Sequence, residues 1–198
     1  MPVLSVPDAA AGPDDAVQAA MRLYRAGEPL DMSALAAELG IGRATLYRWV
    51  GNREALLARV LADSSAQTFR VAEADARDGG AEGAELVVDV IRRFMTAVAQ
   101  ARPLGALVRR EPLVFIRLVA PAGVVEQRVA GLIARVLERE ARSGRLALPL
   151  PPAALATAIV RLSDAHLYTY LLGRRAPDVD GALDIVRVLL GAAPRLAA

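Results

Sequence analysis

The chain reads as an all-α protein built in two parts, and three observations carry that reading. Apolar residues recur at helical spacing through nearly every segment. No alternating apolar-polar run of the kind a half-buried strand needs survives anywhere. A Gly-rich, charged stretch at residues 75–85, "DARDGGAEGAE", divides a mixed first part from a more apolar second part.

The elements follow in order. Residues 1–13 hold Pro2, Pro7, Gly12 and Pro13 and read as a loose arm. "DDAVQAAMRLYRAG" places Val17, Ala20, Met21 and Tyr24 on one helical face, with acids at its start and Gly27 at its end. "DMSALAAELG" is a short second helix, capped by Asp31 and stopped by Gly40. Residues 43–50 form a third. Asn52 caps a fourth, continuing to about residue 76, with Leu56, Val60 and Leu61 facing inward. The N-terminal domain therefore spans residues 14–62, and a second helical domain spans residues 77–198.

In that second domain, "AELVVDVIRRFMTAVAQA" carries Leu86, Val87, Val90, Ile91, Phe94, Met95 and Val98. Its polar residues fall on one stripe, so the helix is apolar over most of its girth and belongs among other helices. "REPLVFIRLVAP" is a short helix, with Pro112 in its first turn and Pro121 ending it. "GVVEQRVAGLIARVLEREARSG" repeats apolar residues at 125, 129, 132, 133 and 136. "PPAALATAIVRLSDAHLYTYLLG" and "DVDGALDIVRVLLGAA" are the last two helices.

Composition narrows the function classes. The 24 basic and 22 acidic residues nearly cancel, so net charge points to no partner. Every basic residue is Arg, the better forked donor to phosphates and guanine. With no Cys and one His, thiol catalysis, disulfides and a Cys- or His-ligated metal are not expected. No carboxylate pair has a defined setting, and Asp164 and His166 lie on different faces of their helix. No catalytic residue, cofactor or metal is therefore expected. The N-terminus lacks a signal peptide's basic head and long apolar run. The uncharged run at residues 146–160 is short and broken by Pro149, Pro151 and Pro152. A cytoplasmic protein is expected.

The most informative stretch is "GIGRATLYRWVGNREALL", residues 40–57. At about 100° per residue, Leu46 and Val50 share an inner face near Ile41. Ala44, Thr45 and Arg48 point the other way, with Tyr47 and Trp49 at the two edges. That outer face suits a DNA major groove. Arg48 can fork to guanine O6 and N7, while Thr45 and Ala44 can meet a base edge or a thymine methyl. Tyr47, Trp49 and Arg43 flank the groove walls. Residues 32–39 would cross the backbone, with residues 40–42 as the turn. Arg53 opens the next helix, where its charge and free N–H groups favour a phosphate. Periodicity alone leaves a second reading open, a helical interaction module whose Tyr, Arg and Trp merely cover its surface.

The run "LAAELGIGRATLYRWVGNREALLARV" resembles the DNA-binding segment of TetR-family transcriptional regulators. The resemblance rests on Leu35, Ala36, Gly40, Ile41, Thr45, Leu46, Tyr47, Trp49, Val50, Arg53, Glu54 and Leu56. "LYRWVGNREALL", "EPLVFIRLV" and "PDVDGALDIVRVLL" are similar to its QsdR-like branch, linked to quorum-quenching lactonase genes. The resemblance implies an N-terminal three-helix helix-turn-helix DNA-binding domain. It also implies a C-terminal helical domain that binds an effector and dimerises through its last two helices. A repressor released from a pseudo-palindromic operator by its effector is the implied mode. The branch implies a lactone or acyl compound as that effector. Two departures concern contacts: Gly42 stands where the family often has Ser or Thr, and Ser33 is the nearest hydroxyl to a Thr expected near Met32.

Two further sites are expected. A homodimer should pair the last two helices through Ala158, Leu162, Ala165, Leu172, Ile185 and Leu189. An effector cavity should lie beside the helix at residues 86–100, lined by Phe94, Met95, Val98, Leu107, Phe115 and Ile133. Thr96, Arg117, His166 or Tyr168 would supply its polar contacts. For His166 the favoured reading is a hydrogen-bonded residue between helices rather than a ligand contact.

Overall fold

The computed structural model describes residues 11–173 and 177–192, and of residues 169–172 the backbone alone. The described residues form ten helices and no strand. The expected arm lies outside them up to residue 10.

Helix α1 (Pro13–Ala26) opens with proline in its first turn, and the Asp15 carboxylate accepts from the Gly12 N–H at 2.7 Å. Helix α2 (Met32–Glu38) is capped by Asp31, which accepts from the Ser33 and Ala34 N–H groups at 2.7 and 2.8 Å. The chain leaves α2 through Gly40, at φ 65°, a left-handed turn that glycine adopts freely. Helix α3 (Arg43–Val50) follows. Helix α4 (Arg53–Asp78) is capped by Asn52, whose Oδ1 accepts from the Ala55 N–H at 2.8 Å.

Helices α5 (Gly83–Gln100), α7 (Pro112–Leu118), α8 (Val124–Arg142), α9 (Pro152–Leu172) and α10 (Val179–Leu189) match segments legible in the sequence. Helix α6 (Arg102–Arg110) does not. It carries Pro103 and Gly105, and its Leu104, Leu107 and Val108 are buried at helical spacing. The connection between α4 and α5 is also shorter than expected. Helix persists to Asp78 and resumes at Gly83, leaving residues 79–82 rather than 75–85.

Two buried clusters organise the molecule. One, the head, joins α1–α4 with Leu104, Leu107 and Val108 of α6 and Phe115 and Leu118 of α7. The other, the body, joins the second half of α4 with α5, α8, α9 and α10. Helix α4 serves both. Leu56, Leu57, Val60 and Leu61 enter the head, while Ala66, Phe69, Ala72 and Ala76 enter the body. At 26 residues it runs about 39 Å. Val98 and Tyr168 pack against both clusters, so they mark the seam.

A buried carboxylate fastens the far end of the body. Glu140 is fully buried and accepts from the Gly83 N–H at 3.1 Å, from Arg145 Nε at 2.8 Å and from Arg77 Nη1 at 3.3 Å. Burial pushes its carboxyl up, but the Arg145 and Gly83 hydrogen bonds outweigh that and hold it below the usual range. Gly83 sits at φ 57°, and a methyl group there would lie 2.5 Å from the Arg145 carbonyl oxygen. Only glycine fits this junction of α4, α5 and α8. No helix among the described residues is long and apolar enough to cross a membrane.

Candidate DNA-reading face and effector cavity

Helix α3 divides as its periodicity requires. Leu46 is fully buried, and Ile41, Trp49 and Val50 pack partly against the head. Arg43, Ala44, Tyr47 and Arg48 are exposed, Tyr47 to 40 %, and Thr45 is half-buried between them. Neither Arg43 nor Arg48 hydrogen-bonds or ion-pairs with a described residue, so both guanidinium groups keep their donors for an outside partner. Ser33 on α2 is exposed, and its N–H is spent on the Asp31 cap. Those backbone hydrogen bonds, Ala34's first, hold the Asp31 carboxyl below the usual range.

Arg53 stands differently from its expected phosphate role. Its Nε donates to the Leu30 carbonyl at 2.7 Å, and its two terminal nitrogens donate to both oxygens of Glu111 at 2.8 and 2.7 Å. Every nitrogen of the group is already engaged inside the protein. The next residue repeats the arrangement with charges reversed. Glu54 accepts from Arg117 Nη2 at 2.6 Å and Nε at 3.2 Å. Arg110 adds hydrogen bonds to the Gly27 and Glu28 carbonyls at 2.9 and 3.3 Å. Two consecutive residues opening α4 are thus clamped, with opposite signs, to the two ends of α7. The Arg53 and Arg117 hydrogen bonds hold the Glu111 and Glu54 carboxyls, respectively, below the usual range.

At the seam between head and body lies a cavity of about 60 Å³. Phe94, Val98, Phe115, Ile133 and Tyr168 line it, as expected from the sequence. The Phe115 and Tyr168 rings meet edge to face, 5.4 Å apart. Five other expected residues lie elsewhere, Thr96 being exposed on α5. Met95 is fully buried in the body on another face of α5, and Leu107 is buried in the head. Arg117 is exposed and paired with Glu54. His166 is half-buried, its Nδ1 3.8 Å from the Asp178 carboxylate, so it faces the start of α10.

The polar end of the cavity went unforeseen. It consists of Ser65 on α4, Glu126 on α8, and Ser163, Asp164 and Tyr168 on α9. Glu126 is buried and accepts from Arg161 Nη2 at 3.1 Å. The Ser163 hydroxyl is buried without a hydrogen-bond partner among the described residues. Burial pushes the Asp164 carboxyl up to about 7 against a hydrogen bond from Tyr168, and Glu126 pushes it the same way. Burial also raises the Tyr168 phenol well above its usual value. The signal was present in the sequence: a serine and an aspartate stand side by side between the buried Val160 and Leu167.

On the outer surface, Ala158 and Ala165 of α9 and Ile185 and Val188 of α10 are exposed, while Leu162 and Leu189 are half-buried. Leu172 lies outside the side chains described.

Comparison with known proteins supplies the context. Residues 82–191 match the family described as "Tetracyclin repressor-like, C-terminal domain". The chain is 42% identical to the transcriptional repressor QsdR of R. erythropolis, from the TetR family. That match covers 94% of this chain and 97% of that one, with a TM-score of 0.89. A TetR-family regulator from Syntrophomonas wolfei shares the fold at a TM-score of 0.60 and 15% identity, covering 93% of this chain and 97% of that one. FadR of Bacillus subtilis, solved with stearoyl-CoA, shares it at 0.54 and 16%, covering 89% and 97%. No curated protein gives a significant match.

Proposed function

This chain belongs to the TetR family of transcriptional regulators, and we propose that it works as a homodimeric repressor released from its operator by a small, mostly apolar effector. As a member of that family it is a regulator of transcription and not an enzyme. The similar repressor QsdR supports repression as its mode. Each α3 would enter a major groove of a pseudo-palindrome, with Arg48 reading a base and Arg43, Thr45, Tyr47 and Trp49 placing the helix. Ser33 would approach the backbone from α2. The exposed small and apolar residues of α9 and α10 suit a four-helix contact between two copies.

The observation that carries the effector reading is the position of the cavity. It touches both buried clusters, and α4 runs from one cluster into the other past Leu61 and Ser65 on its wall. At about 60 Å³ the cavity is far below the ~300 Å³ or more of a ligand-filled cleft. A ligand must therefore push head and body apart at their seam. A lactone or acyl compound suits the lining. Moving the equilibrium from almost all bound to almost all released takes a differential affinity of about 5.5 kcal/mol.

The test uses operator DNA selected from the sequence flanking the gene. Compounds that raise the melting temperature should release it, and Phe94→Ala and Phe115→Ala should weaken those compounds. Stabilising ligands that leave DNA affinity unchanged would break the proposed coupling.

A further inference from the structure

The cavity's polar end carries a second conclusion, resting on the reading of the cavity as the effector site. Among the described residues its lining holds two carboxyl groups and no basic side chain. Glu126 has a partner in Arg161, whereas Asp164 takes a hydrogen bond from the Tyr168 hydroxyl. Beside it, the Ser163 hydroxyl is buried without a partner among the described residues. A buried hydroxyl in this state costs free energy until something hydrogen-bonds to it. A carboxylate or phosphate ligand would be stripped of water here with no cation left to meet it, since Arg161 is taken by Glu126.

We infer that this end of the cavity selects by charge, admitting uncharged molecules with a carbonyl oxygen held by Asp164 and Ser163, and turning away carboxylates and phosphate esters. The Asp164 carboxyl then acts as a donor, in its protonated form. Burial supports this, because it keeps the group protonated up to about pH 7. The charged and titratable groups facing it are Tyr168 on its own helix and Glu126 on α8, the latter neutralised by Arg161. Helix α4 contributes only the unionisable Ser65 to this end. Tyr168 cannot replace Asp164 as the donor, since its hydroxyl is committed to that carboxyl. An uncharged ester and its own hydrolysis product would thus be told apart by a single half-buried acid.

The experiment titrates the full-length protein, without DNA, with methyl hexanoate, hexanoate and hexylamine, at about pH 6 and about pH 8. Near pH 6 the ester should bind at least about tenfold more tightly than hexanoate, and more tightly than hexylamine. Its affinity should fall about tenfold towards pH 8, following the protonated fraction of Asp164. Asp164→Asn keeps a donor and removes the titration. It should bind the ester equally at both pH values and narrow the gap to hexanoate. Ser163→Ala should weaken the ester by about fivefold while keeping the preference.

Hexanoate binding as tightly as the ester would overturn the inference. So would hexylamine binding most tightly, which would make Asp164 a counter-ion. Unchanged selectivity in Asp164→Asn would also sink it, and binding of none of the probes would remove the effector reading as well. Selective ester binding that leaves operator affinity unchanged would remove the proposed function alone.

Discussion

Arg48 is exposed on α3 with no partner among the described residues, and a base reader needs such freedom. Arg48→Ala should cost about 1–3 kcal/mol per half-site and relax base preference at one position, measured by titrating operator variants. Unchanged affinity and preference would exclude it as a reader. The outer face of α3 was legible because eight residues with one buried Leu46 leave little choice of orientation. Arg53 was not legible in the same way. Its partner Glu111 lies 58 residues on, and no local pattern announces a pairing across that distance. Asp164 was weighed only as half of a dyad with His166. Its burial depends on α4, α5 and α8 closing over it, which helical spacing within α9 does not reveal.

Between elements, the clamps from α4 to α7 engage within the protein the Arg53 guanidinium that was expected to meet a phosphate. Arg53→Ala should leave the salt dependence of DNA binding unchanged, because no phosphate contact is lost. It should instead lower stability. A double-mutant cycle with Glu111→Gln, followed by urea unfolding, should give a coupling of about 1–3 kcal/mol. A steeply altered salt slope with no coupling would return Arg53 to the DNA. Gly83 makes a similar prediction for the body. Gly83→Ala combines a left-handed backbone with a methyl 2.5 Å from the Arg145 carbonyl oxygen. It should cost about 1–3 kcal/mol or more. Gly144→Ala is the control, at φ 73° with nothing within 4 Å of the new methyl, and should cost less. Helices long enough to show several turns of apolar spacing were legible. Helix α6 has two turns, with Pro and Gly inside them, and its helical state depends on docking into the head.

For the whole molecule, Ile185 and Val188 leave 45 and 56 % of their surface uncovered on a helix whose other face is core. Ile185→Glu should give a monomer by sedimentation at micromolar concentration and weaken operator binding at least about a hundredfold, since two linked heads bind far better than one. A clean monomer of the unaltered protein would remove the dimer. Stability should also depend on pH in two limbs. Glu54, Glu111 and Glu140 sit below their ordinary 4.5, so what they contribute is present above that value and lost as pH falls below it through their lower folded-state values. Asp164 sits above its ordinary 3.8, at about 7. Between those values the folded chain keeps a proton that the unfolded chain has released, so stability declines as pH rises and levels off above 7. Urea unfolding across pH should show both limbs, and Asp164→Asn should flatten the upper one. The shared core of the head has a consequence for transplantation. Five of its buried side chains, Leu104, Leu107, Val108, Phe115 and Leu118, arrive from beyond α5. The reading head is therefore no detachable cassette. A chimera cut at residues 79–82 would carry the groove-facing helix onto a foreign α6 and α7, with sockets unfilled and Arg53 and Glu54 facing the wrong partners. New operator preferences should pass between relatives by exchanging a few outer residues of α3, while exchange of the whole head should yield a chain that binds no DNA.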